Sequence, residues 1–255
     1  MTTMTTSAVP ASGTAPHRNR VIAVTRLIFA NRWTVLYMPT IILMSIFLLN
    51  IAIWLLVLGA SDGHVSKNAF SYSGAIFYVF IYMMVLAIQA VSRTFPFALG
   101  FGVTRRNFAL GAGLAFVILA VVFSVLMAIL AMIEQATNGW GINAHFFAPN
   151  YYSTGGGLGQ FAIYLFGLLF CLFLGAAASA VFVRWRAMGL TVFFILLAVV
   201  LVGGSALIVV AGWTRPVLDW FGTTGLIGSE AWSLVLTALF AVAGYLILRR
   251  ATPKG

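Results

Sequence analysis

Apolar residues fall in six long runs separated by short polar, basic or glycine-rich stretches, a pattern that predicts an all-α chain crossing a membrane several times. The runs cover residues 40–58, 73–91, 108–133, 160–183, 187–211 and 231–248. About twenty helical residues cross the hydrocarbon core, so each run suffices for one span. The third has length enough to tilt or to project beyond the bilayer. A weaker pattern precedes the first run: Val21, Val24, Ile28 and Val35 fall on one side of a helix, Thr25 and Arg32 towards the other. Over residues 20–37 this predicts an interfacial helix with its arginines among headgroups and its apolar side in acyl chains. A loose basic flank on the first span is the alternative. Pro39 is expected to end this element.

The connections differ in kind. Residues 60–72 are short and polar, whereas 134–159 carry Trp140, Phe146, Phe147, Tyr151 and Tyr152 before a glycine cluster at 155–159. Aromatics of this sort suit a loop lying on the outer headgroup layer. Residues 212–230 include Val217, Leu218, Trp220, Phe221, Leu226 and Ile227, too apolar for a solvated loop and too few to span. Two readings fit: a re-entrant segment shielded by other helices, or a surface loop with interfacial anchors.

The stretch from Arg93 to Phe108 joins the second and third runs and is rich in both aromatic and basic residues. Phe95, Phe97, Leu99 and Phe101 would each cost about 1.5–3 kcal/mol if left in water, so they are expected in the lipid interface or in a partner's groove. Thr94 and Pro96 suit the start of a short helix, and Gly100 and Gly102 its end. Thr104 can cap the next helix, leaving Arg105 and Arg106 at the membrane surface.

Composition supports the membrane reading, because 62% hydrophobic and 7% charged residues leave too little polar surface for a water-soluble globule of 255 residues. The net charge of +10 does not point to nucleic acid, since the basic residues are scattered between apolar spans. Their distribution instead orients the chain. Arg18, Arg20, Arg26, Arg32, Arg93, Arg105, Arg106, Arg184, Arg186, Arg249, Arg250 and Lys254 fall on one side of the predicted spans, Lys67 and Arg215 on the other. Cytoplasmic loops are enriched in Lys and Arg, so both termini are expected inside. Asp62, Glu134, Asp219 and Glu230 fall on or near the opposite side, the two glutamates in solvated or capping roles. Residues 1–19, which lack the apolar core of a signal peptide over the first sixteen, and residues 251–255 are expected to be tails, the first disordered, around a six-span membrane domain at 20–250. The first span is then expected to direct insertion.

Little in the chain suggests chemistry. The spans carry no ionisable residue near their centres, as a carboxylate-driven proton relay would require. His17, His64 and His145 lack metal-ligand spacing, Cys171 is the only cysteine, and no G-x-x-x-x-G-K-[ST] occurs. No catalytic residue, metal or cofactor is therefore assigned to this chain. Gly203-Gly204-Ser205 has no base within a span to activate the serine and suits helix packing. Gly175 and Ser179, among Ala176 to Ala178 and Ala180, offer a surface for close approach of another helix. Gly155 and Gly159 form a weaker instance. Asn50 and Gln89 need partners in a dry environment: each faces either a translocation path or a neighbouring helix.

Six spans, a basic segment before the first, and the run Gly102-Val103-Thr104-Arg105-Arg106-Asn107-Phe108 between the second and third resemble bacterial permease subunits of the ABC-2 exporter family. The resemblance covers residues 20–250. It implies a plasma-membrane permease, in bacteria that of the cytoplasmic membrane, working with a second permease copy or paralogue. It also implies a separate ATP-binding cassette subunit that holds ATP and Mg. In that family the loop between spans two and three is a coupling helix seated on the ATPase, here Pro96 to Gly102, with Arg93, Phe97, Leu99, Phe101, Arg105 and Arg106 around it. Val217 to Gly228 would be a re-entrant piece. A non-transporting membrane scaffold or sensor fits the composition as well. A lipid-acting membrane enzyme fits less well, for want of carboxylates among the cytoplasmic arginines.

Overall fold

The structure is a computed structural model that describes residues 20–61, 70–154 and 156–250; the tails expected at 1–19 and 251–255 lie outside these, as does most of the short polar connection. The chain is all-helical, with no strand among the described residues. In order come α1 (Arg20–Ile28), a π-type turn (Trp33–Tyr37), α2 (Met38–Ala60), α3 (Phe77–Gly100), α4 (Arg105–Ala136), α5 (Gly157–Val210), α6 (Thr214–Ala231) and α7 (Ser233–Arg250). Five helical stretches are long and apolar enough to cross a membrane: Trp33–Ala60, α3, α4, α5 and Thr214–Arg250. They make this a membrane protein. The 54-residue α5 is about 81 Å of helix at the usual rise, more than twice a hydrocarbon core, and it is broken at Arg186 (φ 60, ψ −153).

Close packing centres on α3, α4 and the first limb of α5. Phe116, Leu119, Phe123 and Met127 of α4 and Tyr164, Leu168 and Leu172 of α5 are fully enclosed. Beyond the break the second limb and α6 stay largely uncovered within the chain, with Val199 to Val202 and Leu207 exposed. A Cβ added at Gly203 or Gly204 would meet nothing within 4 Å, so no helix among the described residues packs closely on the face expected there.

The N-terminal segment differs from expectation in two ways. Its helix ends at Ile28, not near Tyr37, and its apolar side faces protein rather than acyl chains: Val24 is buried against Gly111 of α4, and Ile28 is buried too. A Cβ on Gly111 of α4 would lie 2.6 Å from the Val21 carbonyl oxygen, and the Thr25 hydroxyl donates to the Gly111 carbonyl at 2.9 Å. Only a glycine admits that approach. Pro39 does not break the chain either; it sits in the first turn of α2, directly after the π-type turn. A proline ring crowds the carbonyl four residues back, and widening of the preceding turn accommodates it.

The long connection after α4 also departs from its expected place. Phe146 and Phe147 are fully buried against Phe47 of α2, with Trp140 beside them, so this segment plugs one end of the bundle instead of lying flat on headgroups. Residues 70–73 are tied into the same plug: His145 N–H donates to the Phe70 carbonyl, Asn150 N–H to that of Ser71, and the Tyr151 hydroxyl to that of Ser73.

Candidate functional site

The turn between α3 and α4 shows how local sequence builds a protruding edge. Pro96 lies inside α3, which continues to Gly100 without interruption, so the separate short helix expected from Pro96 to Gly102 is the last turn of a long one. The missing proline N–H leaves the ladder bond to the Ser92 carbonyl unmade, while the carbonyls at the helix end are bonded by the residues that follow. Val103 N–H donates to the Ala98 carbonyl at 3.1 Å and Gly102 N–H to that of Leu99 at 2.9 Å, with Gly102 left-handed at φ 73. This paired pattern is a Schellman C-cap, and it needs a residue at ease with positive φ. Thr104 then caps α4, accepting from Asn107 N–H at 3.3 Å.

The turn sorts the aromatic residues that the sequence grouped together. Phe95 is 0% exposed and meets Phe108 edge-on at 5.1 Å between ring centroids. It is core and cannot enter a partner's groove. Leu99 packs partly against the same core, whereas Phe97 and Phe101 are 54% and 74% exposed and pair with each other at 4.7 Å. The anchor set expected at Phe97, Leu99 and Phe101 thus narrows to an exposed pair.

The arginines around the turn have distinct positions. Arg20 donates to the Gly102 carbonyl at 3.0 Å and Arg105 to the Arg249 carbonyl at 2.6 Å, which joins the start of α4 to the end of α7. A cation at a helix C-terminus is favourable because unpaired carbonyls gather there. Arg106 is exposed, and Arg93 is exposed on α3 beside the N-terminal segment. Arg184 shares a cleft with Arg250. Basic residues from α1, α3, α4, α5 and α7 therefore meet at one end of the bundle.

Of the polar residues singled out within the runs, Asn50 donates to the Ile46 carbonyl of its own helix at 2.9 Å, and Gln89 is exposed on α3. Among the described residues neither side chain makes a bond between helices. On α5, a Cβ at Gly175 would collide with the Met84 carbonyl oxygen of α3, and the Ser179 hydroxyl donates to the Ile88 carbonyl at 3.0 Å. The partner helix is α3 of the same chain. Of the other small-residue pair, Gly155 lies outside the described residues, and a Cβ on Gly159 would lie 3.1 Å from Ile227 of α6.

Sequence reasoning missed Glu134. Its side chain is fully buried, and its carboxylate accepts from Trp140 Nε1 and the backbone N–H groups of Phe146, Phe147 and Ala148, all at 2.9 Å, with His145 Nδ1 3.7 Å away. This is neither a solvated acid nor a helix cap. Trp140 adopts φ 60, strained for a bulky side chain, and the bond to Glu134 helps to hold it there. The available signal was periodic: Glu134 shares a face with Met127 and Ala131, both buried. Beyond the plug, Tyr152 lies against Glu230, and desolvation followed by that carboxyl's charge raises the tyrosine pKa.

Residues 212–230, open between dip and surface loop, form a turn and then α6, which is broken at Gly225 (φ 68) and has no buried residue of its own. No cluster of metal-ligating side chains occurs among the described residues. Comparison with family models, curated proteins and solved structures finds no match to this chain.

Proposed function

We propose that this chain is the permease subunit of an ABC-2 type ATP-driven exporter in a bacterial cytoplasmic membrane. In this reading six spans, α2, α3, α4, the two limbs of α5 and α7, carry both termini on the cytoplasmic side. The observation that carries the proposal is the exposed Phe97–Phe101 pair at the basic end of the bundle. Positive charge marks the cytoplasmic end of a membrane protein. Two neighbouring exposed rings there are what a soluble partner's groove would bury. That partner is a separate ATP-binding cassette subunit, which holds ATP and Mg.

Continuity of α3 supports a coupling mechanism. The helix bearing Phe97 runs unbroken from Gly100 back to Phe77 and is locked to α5 at Gly175 and Ser179. Movement of the docked turn therefore shifts α3 and the first limb of α5 as a rigid pair, not as a hinged loop. The uncovered second limb of α5 and α6 supply surface for a second permease copy or a paralogue, with α6 re-entrant about Gly225. Gln89 on α3 and Asn50 on α2 remain the polar residues proposed for the path.

The test is isolation of the chain from its native membrane under mild solubilisation, followed by reconstitution. An ATP-binding cassette subunit should accompany it in stoichiometric amount, and ATP hydrolysis by that subunit should change when the two share proteoliposomes. A chain that isolates without any ATPase is a scaffold or sensor, and the proposal fails.

A further inference from the structure

We infer that the cleft between the N-terminal segment and α3 binds the phosphodiester headgroup of one anionic phospholipid. It is a cavity of about 240 Å³, with Asn31 and Thr34 on one wall and Tyr82, Gln89 and Arg93 on the other. The floor is apolar and closed, since Ile28 and Leu86 are buried. The rim is polar and open, since Gln89 and Arg93 are exposed. The space holds several waters, the scale of a phosphoglycerol group and not of two acyl chains.

Positions 82, 86, 89 and 93 recur at helical spacing, so one face of α3 lines the cleft. Arg93 lies towards the basic end, and Tyr82 is about 16 Å further along the axis at the usual helical rise. The cleft thus runs from headgroup depth into the apolar layer, where Val85, exposed on the same wall, can meet an acyl chain. Donors converge at its polar end. Asn31 Oδ1 already accepts from Thr34 N–H at 3.2 Å, leaving the amide NH₂ to donate, and the Gln89 amide lies on the opposite wall.

The charge needs an anion from outside the chain. Among the described residues the one ion pair is His145 with Glu134, within the plug rather than at this cleft, and no carboxylate lines the cavity. A guanidinium matches phosphate oxygens with a planar fork of donors, and a partly enclosed site strengthens such bonds relative to water. The membrane surface supplies phosphodiesters continuously, already oriented with their chains towards Val85. The inference holds whether or not an ATPase docks at Phe97 and Phe101.

The experiment is native mass spectrometry of the full chain moved from detergent into mixed micelles of phosphatidylglycerol and phosphatidylcholine. The wild type should retain one phosphatidylglycerol in preference to phosphatidylcholine, and excess inorganic phosphate should not displace it. Arg93→Gln should lower retention about tenfold, the scale of one lost charge-assisted bond. Ala90→Phe, which fills the cleft and keeps the charge, should do the same, while Arg32→Gln, an exposed arginine outside the cleft, should not. Equal retention of both lipids by the wild type overturns the inference without recourse to any variant. Unchanged retention in folded Arg93→Gln and Ala90→Phe also overturns it, and displacement by inorganic phosphate overturns the lipid assignment in favour of a soluble anion.

Discussion

Single side chains fix two of the tightest places in the molecule, and each makes a quantitative demand. Glu134→Ala leaves three buried backbone N–H groups and an indole N–H without their acceptor, so it should destabilise by about 3 kcal/mol or more. Thermal unfolding in detergent, with proteolysis of residues 138–154 as a local readout, measures this. A melting temperature within a degree or so of wild type would show that the carboxylate does not hold the plug. On α5 the contrast is between glycines. Gly175→Leu should separate α3 from α5 and cost at least about 2–3 kcal/mol, because a backbone carbonyl cannot yield as a flexible side chain would. Gly203→Leu, inside the same helix but with open space around it, should not destabilise the monomer and should gain up to about 1 kcal/mol from the removed glycine. Small residues at Gly175 and Ser179 stand out in the sequence, but the helix they meet does not, since composition gives a surface its size and not its neighbour. Glu134 was harder still: an acid at the end of an apolar run has the same letter whether water or four donors surround it.

Among the elements, the α3–α4 turn shows most clearly what local sequence can and cannot convey. Gly102, Thr104 and the start of α4 follow from capping chemistry that acts over a few residues. Pro96 misleads, because a proline that suits a first helical turn can also lie inside a helix at the cost of one ladder bond, and α3 continues through it to the Schellman cap. The two nearby glycines should accordingly respond in opposite directions. Gly100 is helical with open space beyond it, so Gly100→Ala should stabilise by about 0.5–1 kcal/mol, whereas Gly102→Ala at φ 73 should destabilise by about 1–2 kcal/mol. Paired melting curves of the two variants decide it; the same sign for both would contradict the cap. For α1 the periodicity of Val24 and Ile28 located an apolar side, yet that side looks alike to acyl chains and to Gly111 of α4. Long-range packing of this sort lies beyond a local pattern.

Taken whole, the helical class and the apolar runs were legible because a hydrocarbon layer enforces length and polarity directly. The break at Arg186 falls in the gap between the runs expected at 160–183 and 187–211. That the second α5 limb stays uncovered was not legible, because it depends on surface left for something outside the chain. The predicted topology has a direct check. In a Cys171→Ser background, Asn143→Cys, exposed in the plug, should react with an impermeant thiol reagent applied to intact cells, and Arg106→Cys should react only after the membrane is opened. Labelling of Arg106→Cys from outside would invert the molecule and remove the cytoplasmic end from the aromatic pair.

If this pair grips a separate ATPase, the affinity of that subunit for Phe97→Ala or Phe101→Ala in reconstituted membranes must fall. Both rings are exposed, so neither truncation should alter the stability of the chain by more than about 0.5 kcal/mol. Truncating a buried aromatic anchor at an interface costs roughly 2 kcal/mol or more, equivalent to about thirtyfold weaker binding. The account predicts that loss for at least one of the two variants, with ATP hydrolysis no longer responsive to the permease. Normal insertion of both variants, with wild-type affinity and responsive hydrolysis retained, would contradict it and leave Phe97 and Phe101 as anchors in the lipid interface.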